Sequence, residues 1–218
     1  LAAQHYNGSA RVILLDSAPP GSPQAEFLDR VIGSISLPIE RPKAGGVPQL
    51  MTELSEELKK RSGEEQTFEG PTIYLFIQGL ENFKKLRQEE EFSFSSGSDD
   101  SGPNPAAVLQ TLITEGPSHG IHIIITCDTF NNVSRFLGRK ALSEFAMRVL
   151  FQMSASDSAA LIDAPDAGTL GLNRALLYND REGYMETFRP YARPGNDWLD
   201  DVARQLKSVK QSAPAGAS

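Results

Sequence analysis

The stretch TIYLFIQGLENF, residues 72–83, opens with six residues of buried-strand character and then runs into Gln78 and Gly79. A run of apolar, aromatic and β-branched residues without polar alternation suits a parallel strand covered on both faces. In sheets of that kind function gathers at the carboxyl ends of the strands. Here that end is neutral, so the same stretch that predicts an α/β fold also limits the chemistry at its tip.

Upstream, RVILLD at residues 11–16 is a second apolar run that ends in an acid and enters APPGSP, rich in Pro and Gly. It reads as a strand passing into a loop. A helix is expected over about residues 23–32, and SISLPIE at residues 34–40 as a poorer strand, weakened by Pro38. Residues 47–62 place Val47, Leu50, Met51, Leu54 and Leu58 at helical spacing, with Glu and Lys on the opposite face. The start, LAAQHYNG, looks like the last turns of a helix ending at Gly8, so the chain is expected to begin within a domain.

Downstream, KKLRQEEE and FSFSSGSDDSGPN read as a charged stretch and a mobile loop whose acids are solvated. Asn104 and Pro105 offer a cap and a first-turn residue for a helix through Ala106, Leu109, Leu112 and Ile113, closed by Gly116 and Pro117. GIHIIITCDTF is a second apolar strand and residues 148–152 a third. A short helix follows over residues 156–162, then a hairpin from residues 175–179 and 184–190 about the turn DREG. Strands alternating with helices predict an α/β sandwich. The remainder is a terminal helix from about Ala192 and a disordered tail, QSAPAGAS. The chain thus divides into a domain over residues 1–193 and a helix with tail over residues 194–218.

With 218 residues the chain suits a single large domain, and at 39% hydrophobic and 22% charged it has the make-up of a soluble protein. No stretch approaches a membrane span, so no membrane contact is expected of it. The lone Cys127 excludes an internal disulfide framework and a cysteine-based zinc site, and it fits a reducing compartment. The expected location is cytoplasmic, with any membrane anchor in another region of the parent. Net charge is −7, from 28 acidic against 21 basic side chains, which opposes non-specific phosphate binding.

The late segment RVLFQMSASDSAALIDAPDAGTLGLNRALLY resembles the second half of the motor domain of the FtsK/SpoIIIE DNA translocases, within the RecA-like P-loop ATPases. Arg148, Asp157, Ser158, Leu170, Gly171, Leu176 and Tyr178 fall in register with that family's Arg-led strand, Asp-Ser helix start and turn into the final strand. Gly120, Ile121 and His122 match the start of the preceding strand, and the resemblance covers roughly residues 1–190. It implies a three-layer RecA-like sandwich with a mostly parallel sheet and a C-terminal β-hairpin. It further implies ATP and Mg²⁺ for the parent, a homo- or hetero-oligomeric ring or tandem ATPase modules as partners, and DNA bound through the parent.

The same resemblance shows departures. A P-loop needs G-x-x-x-x-G-K-[ST] so that backbone N–H groups wrap the phosphates and the hydroxyl binds Mg²⁺, and no such run is present. Either the chain begins after it or the parent module diverges upstream. The strand at residue 72 would end in an acidic pair, one carboxylate holding Mg²⁺ and the other positioning water. Gln78 and Gly79 stand there instead and supply neither. The sensor strand, which in the family ends Thr-Gln-Arg-Pro, ends here at Cys127, Asp128, Thr129 and Phe130. No catalytic residue, no metal site and no tight nucleotide binding are therefore expected of this chain. Glu81, just beyond the strand, reads as a solvated helix-start residue rather than a replacement carboxylate.

Other candidates have simpler readings. His119 and His122 lack partners at metal spacing. Asp16 suits the capping of the following loop, and Lys59, Lys60 and Arg61 suit a helix end. Arg148 is either a sensor of a neighbouring subunit's nucleotide or a strand-start arginine paired with a nearby acid. Dinucleotide-binding and nucleophile-elbow chemistry are excluded, because neither G-x-G-x-x-G nor G-x-S-x-G occurs. The alternative of a different class is a regulatory or scaffolding pseudo-ATPase that binds protein partners, for example in a secretion-type motor.

Overall fold

A parallel sheet forms around the residue-72 strand. The computed structural model describes residues 1–5, 9–35, 37–63, 70–88 and 102–212. Strands β1 (Ala10–Asp16), β2 (Ile39–Glu40), β3 (Thr72–Gln78) and β4 (Ile121–Ile125) pair in the order β2-β1-β3-β4, all parallel. The register sets Asp16 level with Gln78. Helix α1 (Pro23–Ser34) joins β1 to β2, α2 (Val47–Ser62) carries the chain back across to β3, and α3 (Pro105–Glu115) leads on to β4. Right-handed crossovers in opposite directions place α1 on one face and α2 with α3 on the other. The result is a three-layer α/β sandwich.

The α2/α3 face holds the main core: Ile13, Leu15, Ile73, Leu75 and Ile77 of the sheet pack against Leu50, Met51, Leu54, Leu58, Leu109 and Leu112. All five apolar positions expected on α2 are buried. Asn104 caps α3, its Oδ1 accepting from Ala106 N–H at 2.9 Å, with Pro105 in the first turn.

The opposite face corrects the expectation of a strand covered on both sides. Burial along β3 alternates, with Ile73, Leu75 and Ile77 buried but Tyr74 and Phe76 only half-buried. On that face Tyr74 stacks on His122 with centroids 5.3 Å apart, and its hydroxyl lies 3.0 Å from His5 Nε2. The apolar run fits either environment, since a half-covered face tolerates aromatic rings whose edges reach water.

Two short helices follow β4, α4 (Phe130–Phe136) and α5 (Arg139–Glu144). The late strands then form a separate antiparallel sheet, with β5 (Met147–Leu150), β6 (Ala175–Asn179) and β7 (Tyr184–Phe188) in that order. Helix α6 (Ala155–Ile162) closes a smaller core of Leu150, Ile162, Leu170 and Leu176. The terminal helix α7 (Asn196–Ser212) packs on α1, burying Leu199. At the start, residues 1–5 form a single turn closed by a bond from His5 N–H to Leu1 O. Gly8, the acidic loop after residue 88 and the tail lie outside the described residues, as does part of the strand expected before Ile39. No helix among the described residues is long and apolar enough to cross a membrane.

Candidate functional site

The carboxyl ends of β1, β3 and β4 converge on Gly79. That residue takes the left-handed conformation, φ 73° and ψ 63°. Its N–H donates to Thr126 Oγ1 at 2.9 Å, and Leu80 N–H donates to Thr126 O at 2.9 Å, tying the turn to the end of β4. A β-carbon at Gly79 would lie 2.4 Å from Ser17 Oγ, 2.9 Å from Asn82 Nδ2 and 3.2 Å from Glu81 Oε1. The left-handed backbone therefore favours glycine here, and any side chain would have to displace the ends of Ser17 and Asn82.

Asn82 seals the same corner, its Nδ2 lying 3.3 Å from Ser17 Oγ, 3.2 Å from Gly79 O and 3.1 Å from Glu81 Oε1. The crevice between the ends of β1 and β3, where the chain reverses its direction across the sheet, is where open α/β sheets take their ligands. Here Ser17, Gly79 and Asn82 meet at its mouth. Asp16 spends its carboxylate on Ala18 N–H, 2.9 Å, and on Arg41, 2.9 Å, as its loop-capping reading expected.

Glu81 departs from the solvated role read from sequence. It is partly buried, and its Oε2 is shielded from water with no hydrogen-bond partner among the described residues. Ligand atoms of Glu81, Cys127 and Asp128 lie within 4.8 Å of one another. Glu81 is distant in sequence from the adjacent pair Cys127 and Asp128, and the pairing of β3 with β4 brings it to them. Burial pushes the Cys127 thiol up to about 11, and the charges of Glu81 and Asp128 add to the shift. Asp128 is held below the usual carboxylate range by the amide of Asn132, whose Nδ2 donates at 2.8 Å, with Thr129 adding a second bond.

The donor set does not fit Mg²⁺. That ion wants oxygen ligands in octahedral array, and thiols bind metals as thiolates. Here one donor is a thiol that keeps its proton at neutral pH, and Asp128 is already engaged at the start of α4. Gln78 is neutral at the end of β3 and level with Asp16.

Arg148 lines the same cleft as Cys127 and Asp128. Its Nη1 donates to Leu161 O, its Nη2 to Leu142 O at 3.1 Å, and its guanidinium stands 5.7 Å from the centre of the Tyr178 ring. These partners are carbonyls and an aromatic face, not the acid anticipated for a strand-start arginine. The buried arginine that sequence reasoning missed is Arg61, 3% exposed, which reaches Glu57, His119 O, Gly120 O and Pro71 O. Its place at a helix end next to two lysines gave no sign of burial.

A sandwich of this topology, with a parallel sheet and a C-terminal antiparallel hairpin, is shared with solved structures of ATPases and an NTPase. No family model and no curated protein matches the chain. Among solved structures it is similar to EssC (ATPases 2 and 3) from Geobacillus thermodenitrificans, at TM-score 0.59 and 16% identity over 98% of this chain and 40% of that one. It is also similar to the cytoplasmic domain of the type VII secretion ATPase EccC from Thermomonospora curvata, at TM-score 0.56 and 16% identity over 96% of this chain and 25% of that one. The genome packaging NTPase B204 from Sulfolobus turreted icosahedral virus 2, in complex with AMP, gives TM-score 0.52 and 12% identity over 84% of each chain. This chain thus spans two fifths of the EssC structure and a quarter of the EccC structure.

Proposed function

We propose that the chain is the carboxyl-terminal part of an FtsK/SpoIIIE-type P-loop ATPase domain of the DNA translocation lineage, degenerate at the metal-and-water station and without hydrolytic activity of its own. The observation that carries this reading is the Gly79 corner, where a left-handed glycine, closely flanked by Ser17 and Asn82, stands in place of a catalytic carboxylate. In a ring or tandem array, such a module passes binding signals through its interfaces while other modules hydrolyse ATP. ATP and Mg²⁺ belong to the parent, and DNA is reached through it, since the net charge of −7 opposes phosphate binding by this part alone. The place of action is the cytoplasm.

Two measurements test the reading. The isolated chain should show no ATP hydrolysis above buffer background. Calorimetric titration with ATP and Mg²⁺ should show no micromolar binding. Hydrolysis abolished by changing a single residue of this chain would overturn it.

A second reading is a regulatory or scaffolding pseudo-ATPase module of a secretion-type motor, binding protein partners and neither DNA nor nucleotide. The similarity to EccC over nearly the whole chain favours it. A fluorescence titration on duplex DNA at low salt separates the two when done on a longer parent fragment. Binding there supports the translocase lineage, and its absence supports the scaffold.

A further inference from the structure

A basic patch crosses three short helical segments of a chain whose net charge is −7. Lys84 and Lys85 lie on the turn Lys84–Leu86 and Arg87 just after it, Arg135 is in the last turn of α4, and Arg139 with Lys140 opens α5. All six residues are exposed, and none forms an ion pair among the described residues. The fold ties these segments together. Gln88 N–H donates to Arg135 O at 3.2 Å, which sets the turn carrying Arg87 against the end of α4. Gln110 of α3 fixes the junction of α4 with α5: its Nε2 donates to Phe136 O at 2.8 Å, and its Oε1 accepts from Gly138 N–H at 3.1 Å. Leu86 and Leu137 are buried beneath, so packed core sets the spacing of the backbone that carries the cations.

Helix electrostatics do not account for the patch. A cation suits the carboxyl end of a helix and is disfavoured at the amino end. Arg135 has the favoured place, but Arg139 and Lys140 occupy the first two positions of α5, with no acid in that turn. Like charges gathered without counter-charges repel one another, and a partner that brings negative charge relieves that repulsion. A duplex or long single strand of nucleic acid would run past the patch over a chain of net charge −7. Single strands are also held by aromatic rings open to the bases, whereas Phe83 and Phe136, the rings next to these cations in sequence, are 4% and 3% exposed. A short acidic peptide segment meets neither obstacle.

We propose that the surface formed by Lys84, Lys85, Arg87, Arg135, Arg139 and Lys140 docks a short, carboxylate-rich segment of a partner polypeptide. Arginine clusters read acidic motifs in this way. The guanidinium fork takes a carboxylate through two parallel bonds, and the lysines add charge without fixing direction. The surface rests on no property of the nucleotide site, so ATP binding or hydrolysis by this chain would leave it intact. Glu89, Glu90 and Glu91 follow Gln88 in sequence and lie outside the described residues, so their competition for the patch is measured directly.

The test is fluorescence anisotropy of a labelled peptide of alternating glutamate and glycine, about eight residues long, titrated with the full chain. Raising the ionic strength from about 0.01 M to about 0.1 M should weaken binding about tenfold or more. Arg135→Glu with Arg139→Glu should weaken it about tenfold or more at low salt. Arg181→Glu with Arg189→Glu makes the same change in net charge at exposed positions elsewhere and should weaken it less than about twofold. Lys84→Gln with Lys85→Gln, confined to one exposed turn, gives a second reading should the first pair fail to fold, with an expected loss of about threefold. Equal losses from the two glutamate pairs, or no binding at millimolar peptide, would overturn the proposal. An oligonucleotide of equal charge that binds more tightly than the peptide, and is lost in the Arg135 and Arg139 variant, would overturn it in favour of nucleic acid. Tightening of about tenfold or more on combining Glu89→Gln, Glu90→Gln and Glu91→Gln would overturn it too, by giving the patch to the chain's own acids.

Discussion

Gly79 and Ser17 meet across the carboxyl ends of β3 and β1 so closely that a β-carbon on Gly79 would lie 2.4 Å from Ser17 Oγ. The left-handed backbone at φ 73° adds a conformational cost to the steric one. Gly79→Ala is expected to lower stability by about 2–4 kcal/mol. In a Ser17→Gly background the cost should fall to about 1–2 kcal/mol, the part owed to backbone conformation and to Asn82. Urea unfolding of the four proteins of this cycle measures the difference. Gly79→Glu should fail to create ATPase activity, because the left-handed backbone is strained for a non-glycine residue and Gln78 beside it remains neutral.

Arg61 joins the end of α2 to the entries of β3 and β4. Its Nε donates to Glu57 at 2.8 Å, while Nη1 and Nη2 reach His119 O at 2.9 Å and Pro71 O at 3.0 Å. Arg61→Met strands a carboxylate and several carbonyls and should cost about 3–5 kcal/mol. Arg61→Lys should recover less than half of that, since one ammonium cannot span the planar fork. Glu57→Gln should cost only about 1 kcal/mol, because the carbonyl partners remain. Equal losses in all three would show that the charge pair, not the fork, holds the corner.

Cys127 tests the electrostatics of the Glu81 cluster. With the thiol pushed up to about 11, alkylation by iodoacetamide should stay slow at pH 8 and climb only as the pH approaches 11. The folded state holds its proton more tightly than the unfolded chain does. The resulting stability is fully present below the unfolded thiol value, near 9, and is lost as pH rises toward 11. Glu81→Gln should lower the inflection without returning it to the unfolded value, because burial is the larger cause. An inflection near the ordinary thiol range in the unmutated chain would mean that the pocket is wet.

Arg148 should behave as a structural cation. Its Nη1 and Nη2 donate to Leu161 O and Leu142 O beside the Tyr178 face, while its buried Nε has no hydrogen-bond partner among the described residues, so Arg148→Lys is expected to cost about 2 kcal/mol, or about 4–8 °C in Tm. A variant with unchanged Tm that instead impairs ATP turnover in an assembled parent would reassign the residue to nucleotide sensing.

Much of the fold was legible from local patterns. The 3.6-residue spacing of Val47, Leu50, Met51, Leu54 and Leu58 marked α2 and its buried face. Asn104 with Pro105 marked the start of α3, and the turn 180–183 marked the hairpin of β6 and β7. Each is a signal carried within a few neighbouring residues. The half-open face of β3 was not legible, because Tyr74 and Phe76 suit a covered or a partly wet surface equally well. Nor was the clustering of Glu81 with Cys127 and Asp128, which strand pairing alone assembles.

The sequence by itself determined that Gln78 and Gly79 carry no charge at the end of the central strand and that no P-loop run occurs in these residues. Those are statements of residue type, and no folding is needed to make them. The tertiary structure decided that a side chain at Gly79 would meet Ser17 and Asn82, that Arg61 is buried among carbonyls, and that residues of β4 and β5 line one cleft. Such facts depend on distances between segments tens of residues apart. Those distances are fixed by strand register and helix packing, which local composition does not encode.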